Sequence, residues 1–198
     1  MVDDPTLKSF NGKGLIGAYD IDDEGVPAQP VKLVNSGRLE NYLLSRAPVR
    51  DFPVSNGHGR AGVTGPQQPA IGVFKIAASN GLSDDELNSK LLATAKDRGL
   101  KSVYYVQTLG GIGAPRLLYR ISTDGGGKRE LVRGAALDDV DQRALRSSVS
   151  AAGKDLFVAN FFGDIPQTVI APALLFDDVT VRRANDKNGK LPFYPPPD

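Results

Sequence analysis

The sequence predicts an α+β domain, mainly β, built on a large antiparallel sheet or open barrel with two short helices. Three features carry this reading: dense turn residues, short stretches of β-branched and aromatic residues, and only two stretches of helical periodicity. The 22 Gly and 14 Pro among 198 residues are about 18% of the chain, against about 12% on average. They fall between short apolar stretches and so mark turns.

In chain order, Val31 to Val34, the Asn35-Ser36-Gly37 turn, and Arg38-Leu39 with Tyr42 to Leu44 read as a hairpin whose glycine supplies a positive φ. Ile71 to Ala77 is apolar apart from Lys75 and reads as a mostly buried strand. Ser102 to Thr108 (SVYYVQT) has the β-branched and aromatic content of a strand. Leu117 to Ile121 and Arg129 to Val132 flank Thr123 to Gly127 as a second hairpin, and Val169 to Val181 closes the ordered part. All these segments are expected in one sheet. The first helix is predicted over residues 83–98. Ser83 and Glu86 have capping-box spacing, Leu87, Leu91, Leu92 and Ala95 share a face, and Gly99 stands at the C-cap. The second is predicted from Asp138 to Ala151, with Leu145 and Val149 four apart and Gly153 as its stop. Residues 1–184 read as one domain, and residues 185–198, ending PFYPPPD, as a Pro-rich extended tail.

Composition excludes several functions. A balance of 24 Lys+Arg against 23 Asp+Glu, net +1, lacks the basic field of a nucleic-acid binder. No Cys and one His exclude disulfides, thiolate nucleophiles and multi-His or Cys-based metal sites. No run approaches the roughly 18 apolar residues of a membrane-spanning helix, so no membrane partner is expected. Met1 to Pro5 has no basic segment leading into an apolar one, and a cytoplasmic location is the expectation.

Asp20 to Gly25 resembles the opening of an EF-hand loop, but Val31 stands at the twelfth position, where a bidentate Glu must close the cage. An acidic turn is the better reading. Gly110-Gly111-Ile112-Gly113 and Gly125 to Gly127 lack the Lys-Ser/Thr of a phosphate loop and read as turn glycines. Ser55 to Arg60 is the candidate site. It places the amide of Asn56, the imidazole of His58 and the guanidinium of Arg60 within six residues that include two glycines. Such a loop can bind a peptide backbone or a carboxylate; the plain alternative is a polar surface loop. Nothing brings a nucleophile and an acid to His58, so no catalytic residue is assigned.

Six segments in order resemble the C-terminal domain of the TldD/PmbA family of metallopeptidases and their non-catalytic partners. They are Asp22 to Gln29, Val31 to Gly37, Leu43 to Arg46, Ser55 to Arg60, Tyr119 to Ile121 with Glu130 to Gly134, and Val169 to Phe176. Catalytic members carry a His-Glu-x-x-x-His helix upstream of this region and a late cysteine, which together hold zinc. This sequence contains neither, so no metal or catalytic role transfers to any residue here. The resemblance implies a domain that helps form a channel for unfolded peptides and a homo- or heterodimer surface. Zinc would belong to full-length catalytic members, with no cofactor in this chain. On that reading Asn56, His58 and Arg60 are substrate-binding. A stand-alone, non-catalytic peptide-binding or scaffold module is the alternative.

Overall fold

A computed structural model describes residues 1–108, 116–124, 127–137 and 142–183. The 110–113 glycines, Gly125-Gly126, the proposed start of the second helix and the 185–198 tail lie outside them. The chain is strand-rich with two helices, and its largest sheet is mixed and does not close into a barrel. It divides into two compact units.

The first unit comprises Met1–Asn88, Thr108–Arg116 and Ala151–Leu174. Its five-stranded sheet has the order Val149–Phe161, Gln167–Phe176, Val73–Lys75, Val2–Asp3, Val31–Lys32. Val2–Asp3 is antiparallel to both neighbours, with Asp3 opposite Val31 on one side and Phe74 on the other. Gln167–Phe176 runs parallel to Val73–Lys75, with Val169 opposite Phe74. The long stretch of chain between these two strands permits the crossover that a parallel pair requires. Along Gln167–Phe176 burial alternates: Thr168, Ile170 and Pro172 are buried and the residues between them partly exposed, the period-2 signature of a strand. Ile170 joins Val73 and Leu15 in a core flanked by Leu7, Phe10, Ala18, Leu156 and Val158.

Two tight hairpins belong to this unit. Ser9–Phe10 pairs with Lys13–Gly14 through Asn11-Gly12, and Val34–Asn35 with Arg38–Leu39 through Ser36-Gly37. Both central residues of each turn have positive φ, 49° and 75° in the first, 47° and 79° in the second. That is the turn whose twist matches paired strands. The second hairpin was expected, but it stops at Leu39, and Tyr42 to Leu44 are not in a strand.

The second unit comprises Ser89–Gln107, Leu117–Ser150 and the chain from Leu175. Ser102–Thr108, Arg116–Ser122 and Arg129–Val132 form a separate three-stranded sheet, in which Tyr119 lies opposite Leu131 in the expected hairpin. Its core is Ala95, Val103 and Ile121, with Leu91, Leu92 and Tyr105 against it. Ala135–Leu137 pairs with Val181–Arg183. The strand segments therefore divide between sheets rather than joining one, because each group of apolar faces closes on its own small core.

The first helix, Asp84–Asp97, follows its sequence signals closely. Ser83 N donates to Glu86 Oε2 at 2.7 Å and Glu86 N to Ser83 Oγ at 3.3 Å. At the other end Leu100 N bonds Ala95 O and Gly99 N bonds Lys96 O, each at 2.9 Å, with Gly99 at φ 65°. These are the two bonds of a Schellman cap. The second helix spans only Gln142–Ser147, and Val149 opens the thirteen-residue strand Val149–Phe161. Leu145 is 51% exposed and so gives no burial that rewards extending the helix through Ser148 into β-branched Val149.

Candidate functional site

Residues 19–28, 42–46 and 55–61 pack around a buried polar cluster. Asp22 is an Asx-type turn residue. Its Oδ1 accepts from Glu24 N at 3.0 Å and Val26 N at 2.8 Å, and its Oδ2 accepts from Gly59 N at 2.9 Å. Asp23 Oδ2 accepts from Ala61 N at 2.7 Å and Arg60 Nε at 3.2 Å, and Asp23 N donates to Gly59 O at 2.9 Å. The acidic turn thus spends two of its carboxylates on backbone amides of the 59–61 segment, as expected for Asx residues that organise local chain.

Asn56 holds the 42–44 segment. Its Oδ1 accepts from Leu44 N and its Nδ2 donates to Tyr42 O, each at 2.9 Å. Gly57 adopts φ 74°, and a Cβ there would lie 2.7 Å from Ala28 Cα, so only glycine fits this crossing. His58 is fully buried. Its Nδ1 lies 3.1 Å from Asn56 O and 3.0 Å from Asn56 Oδ1, and its Nε2 lies 3.3 Å from Asp3 Oδ1. Asp3, also fully buried, accepts from Gly72 N at 3.1 Å and Val73 N at 3.2 Å.

Arg60 is the third sequence-selected residue. Its guanidinium carbon sits 4.2 Å from the Tyr19 ring centroid, a cation–π arrangement. Its side chain is 11% exposed, and its buried Nη1 has no hydrogen-bond partner among the described residues. Tyr19 donates its hydroxyl proton to Gly57 O at 3.0 Å. Burial pushes the Tyr19 hydroxyl up from its usual 10.0 to about 12, against the opposing pull of Arg60.

The structure brings Asn56, His58 and Arg60 into one cluster and gives them different tasks. Asn56 and His58 bind their own chain, while Arg60 keeps an unspent donor. His58's ring contacts are Asp3 and Asn56, with no hydroxyl among them, so no Ser-His-Asp chemistry follows. Asp3, Asp22 and Tyr19 complete the cluster and were missed as site residues. Asp22 alone carried a sequence signal, as the first Asp of an Asx turn closed by Gly25.

A family model described as the PmbA/TldA metallopeptidase C-terminal domain matches residues 1–183. Among curated proteins, none matches the chain. The residues present do not fit the metal such a family implies. The sequence has one His and no Cys. Among the described residues, no three His, Asp or Glu side chains converge as a metal-holding group. A catalytic zinc needs three protein ligands, so no step is derived through one.

Proposed function

The chain belongs to the PmbA/TldA metallopeptidase C-terminal domain family, and from that premise we propose that it serves a TldD/PmbA-like peptidase as a peptide-binding domain. It contributes to the channel that receives unfolded peptide and to a dimer surface, while the hydrolytic groups lie outside its residues. The family match over residues 1–183 carries this reading.

The 55–60 loop supports a particular division of labour within that role. Arg60 supplies the contact to the peptide through Nη1, which is buried without a partner among the described residues, so the loop must open around it for a peptide carbonyl to reach it. A buried donor without a partner costs about 1–3 kcal/mol, and a peptide carbonyl would satisfy it. Asn56 and His58 hold the loop in place through the bonds described above, and so support binding without needing to reach the substrate.

The test is peptide turnover by the partner-bound, full-length protein carrying Arg60→Ala or Arg60→Lys. Loss of one charge-assisted hydrogen bond is expected to weaken peptide turnover about tenfold. Lys is expected to restore little, because it lacks the planar fork. Unchanged kinetics in both variants would leave Arg60 a structural residue of the 55–60 loop with no part in peptide binding. Chelator-sensitive hydrolysis by the isolated chain with stoichiometric zinc would refute the placement of the chemistry elsewhere.

A further inference from the structure

The contacts of His58 have a consequence independent of peptide binding. Its ring nitrogens face three oxygens, Asn56 O and Oδ1 on Nδ1 and Asp3 Oδ1 on Nε2. All three act as acceptors. The Asn56 amide cannot be turned to offer its NH2 instead, because Oδ1 already accepts from Leu44 N and Nδ2 already donates to Tyr42 O. The Asp3 carboxylate is committed in the same sense, accepting from Gly72 N and Val73 N.

A neutral imidazole has one N–H and a lone pair on its other nitrogen. In this setting it can hold Asn56 or Asp3, but one lone pair then points at an acceptor. The imidazolium has two N–H donors and holds both. We infer that His58 is a proton-operated tie between the Val2–Asp3 strand and the 55–60 loop, with one bond made by the neutral ring and two by the cation.

The charged and titratable groups around the tie agree in sign. Asp3 faces the ring from the Val2–Asp3 strand. Asp22 approaches from the 19–24 turn on the neighbouring Gly59 N, and Tyr19 from the same turn on Gly57 O. Arg60, the cation two residues along, is paired with Asp23. With the ring neutral, the fully buried Asp3 meets backbone amides and at most one ring N–H, and no cation; the imidazolium brings it an opposite charge. The fully tied form binds one proton more than the half-tied form. It is therefore favoured as pH falls and lost as pH rises, which loosens the loop from the strand.

The chain contains one His, so its ring signals assign themselves. The experiment follows ring 15N shifts and amide protection factors of the 198-residue chain across the whole pH range over which the fold persists. Both ring nitrogens are expected to become N–H donors together at the acid end. Protection of the Leu44 and Gly59 amides is expected to rise about fivefold with the same midpoint, the order expected for one net hydrogen bond. His58→Gln is expected to flatten that protection. A ring that keeps one proton throughout, or loop protection that stays flat while the ring titrates, overturns the inference. So does a pH response that survives in the Gln variant; should that variant not fold, the wild-type ring and amide data decide.

Discussion

Asp3 and His58 lie 55 residues apart in sequence and meet at 3.3 Å with both side chains fully buried. Asp3 sits between Val31 and Phe74, so the contact fastens a loop to an interior strand of the five-stranded sheet. Burying a carboxylate is costly unless donors meet it, and here Gly72 N, Val73 N and the imidazole supply them. His58→Ala removes one donor and leaves a cavity. Leaving a buried acceptor unmet costs about 1–3 kcal/mol and the cavity adds to it, so urea unfolding is expected to show a loss of at least that order. A loss under about 1 kcal/mol would mean that water replaces the ring.

Tyr19 gives a prediction in the alkaline range. Its folded value of about 12 stands above the usual 10.0, chiefly through burial. The folded state therefore holds this proton more tightly than the unfolded one. The corresponding stability is complete below about pH 10 and is lost as pH rises from there through about 12. Absorbance titration of phenolate is expected to show a late step near pH 12, and Tyr19→Phe is expected to remove it. An unchanged late step in Tyr19→Phe would assign it to another tyrosine.

At the first helix, Ser83 and Glu86 close a reciprocal cap. The Ser83 backbone amide, then its hydroxyl, lower the Glu86 carboxyl below its usual value. A depressed carboxylate contributes stability above its unfolded value, 4.5, and loses it as pH falls through the folded one. Ser83→Ala is expected to cost about 1 kcal/mol by thermal unfolding. It is also expected to diminish the acid-side slope, and a slope identical to that of the parent would mean that the cap does not couple to folding.

The first helix was legible because all its signals are local. Ser83, Glu86 and Gly99 act within a few residues of themselves, and the observed caps use each of them. The hairpin turning at Ser36-Gly37 was legible for the same reason. Asn11-Gly12 carries an equally local signal, and the structure turns there. The second helix is present over Gln142–Ser147, but the Leu145 and Val149 spacing overstated its C-terminal extent, because Leu145 is half exposed and Val149 joins a strand. The division of the strands between sheets was not legible, since pairing partners such as Val73 and Thr168 are far apart in sequence. At the site, sequence could select Asn56, His58 and Arg60 by proximity. It could not show that Asp3 closes on His58, because that contact requires the sheet to form first.

The close crossing of three segments at Gly17 yields the last prediction. Gly17 N donates to Thr168 Oγ1 at 3.0 Å, and Thr168 N donates to Gly72 O at 2.9 Å. A Cβ on Gly17 would run into the Gly72 carbonyl oxygen and stand 2.7 Å from Thr168 N. These are backbone atoms held in place by the parallel pairing of Thr168 with Val73, so neither can give way without opening that pair. Gly17→Ala is therefore expected to cost at least as much as core overpacking, about 1–3 kcal/mol, and to raise hydrogen exchange at Thr168 and Ile170. Gly14 provides the matched control. It has open space where its Cβ would stand, and Ala there is expected to be neutral or to stabilise by up to about 1 kcal/mol, by restricting the unfolded chain. Equal effects of the two substitutions on the thermal midpoint would show that glycine entropy, rather than the crossing, determines the cost at position 17.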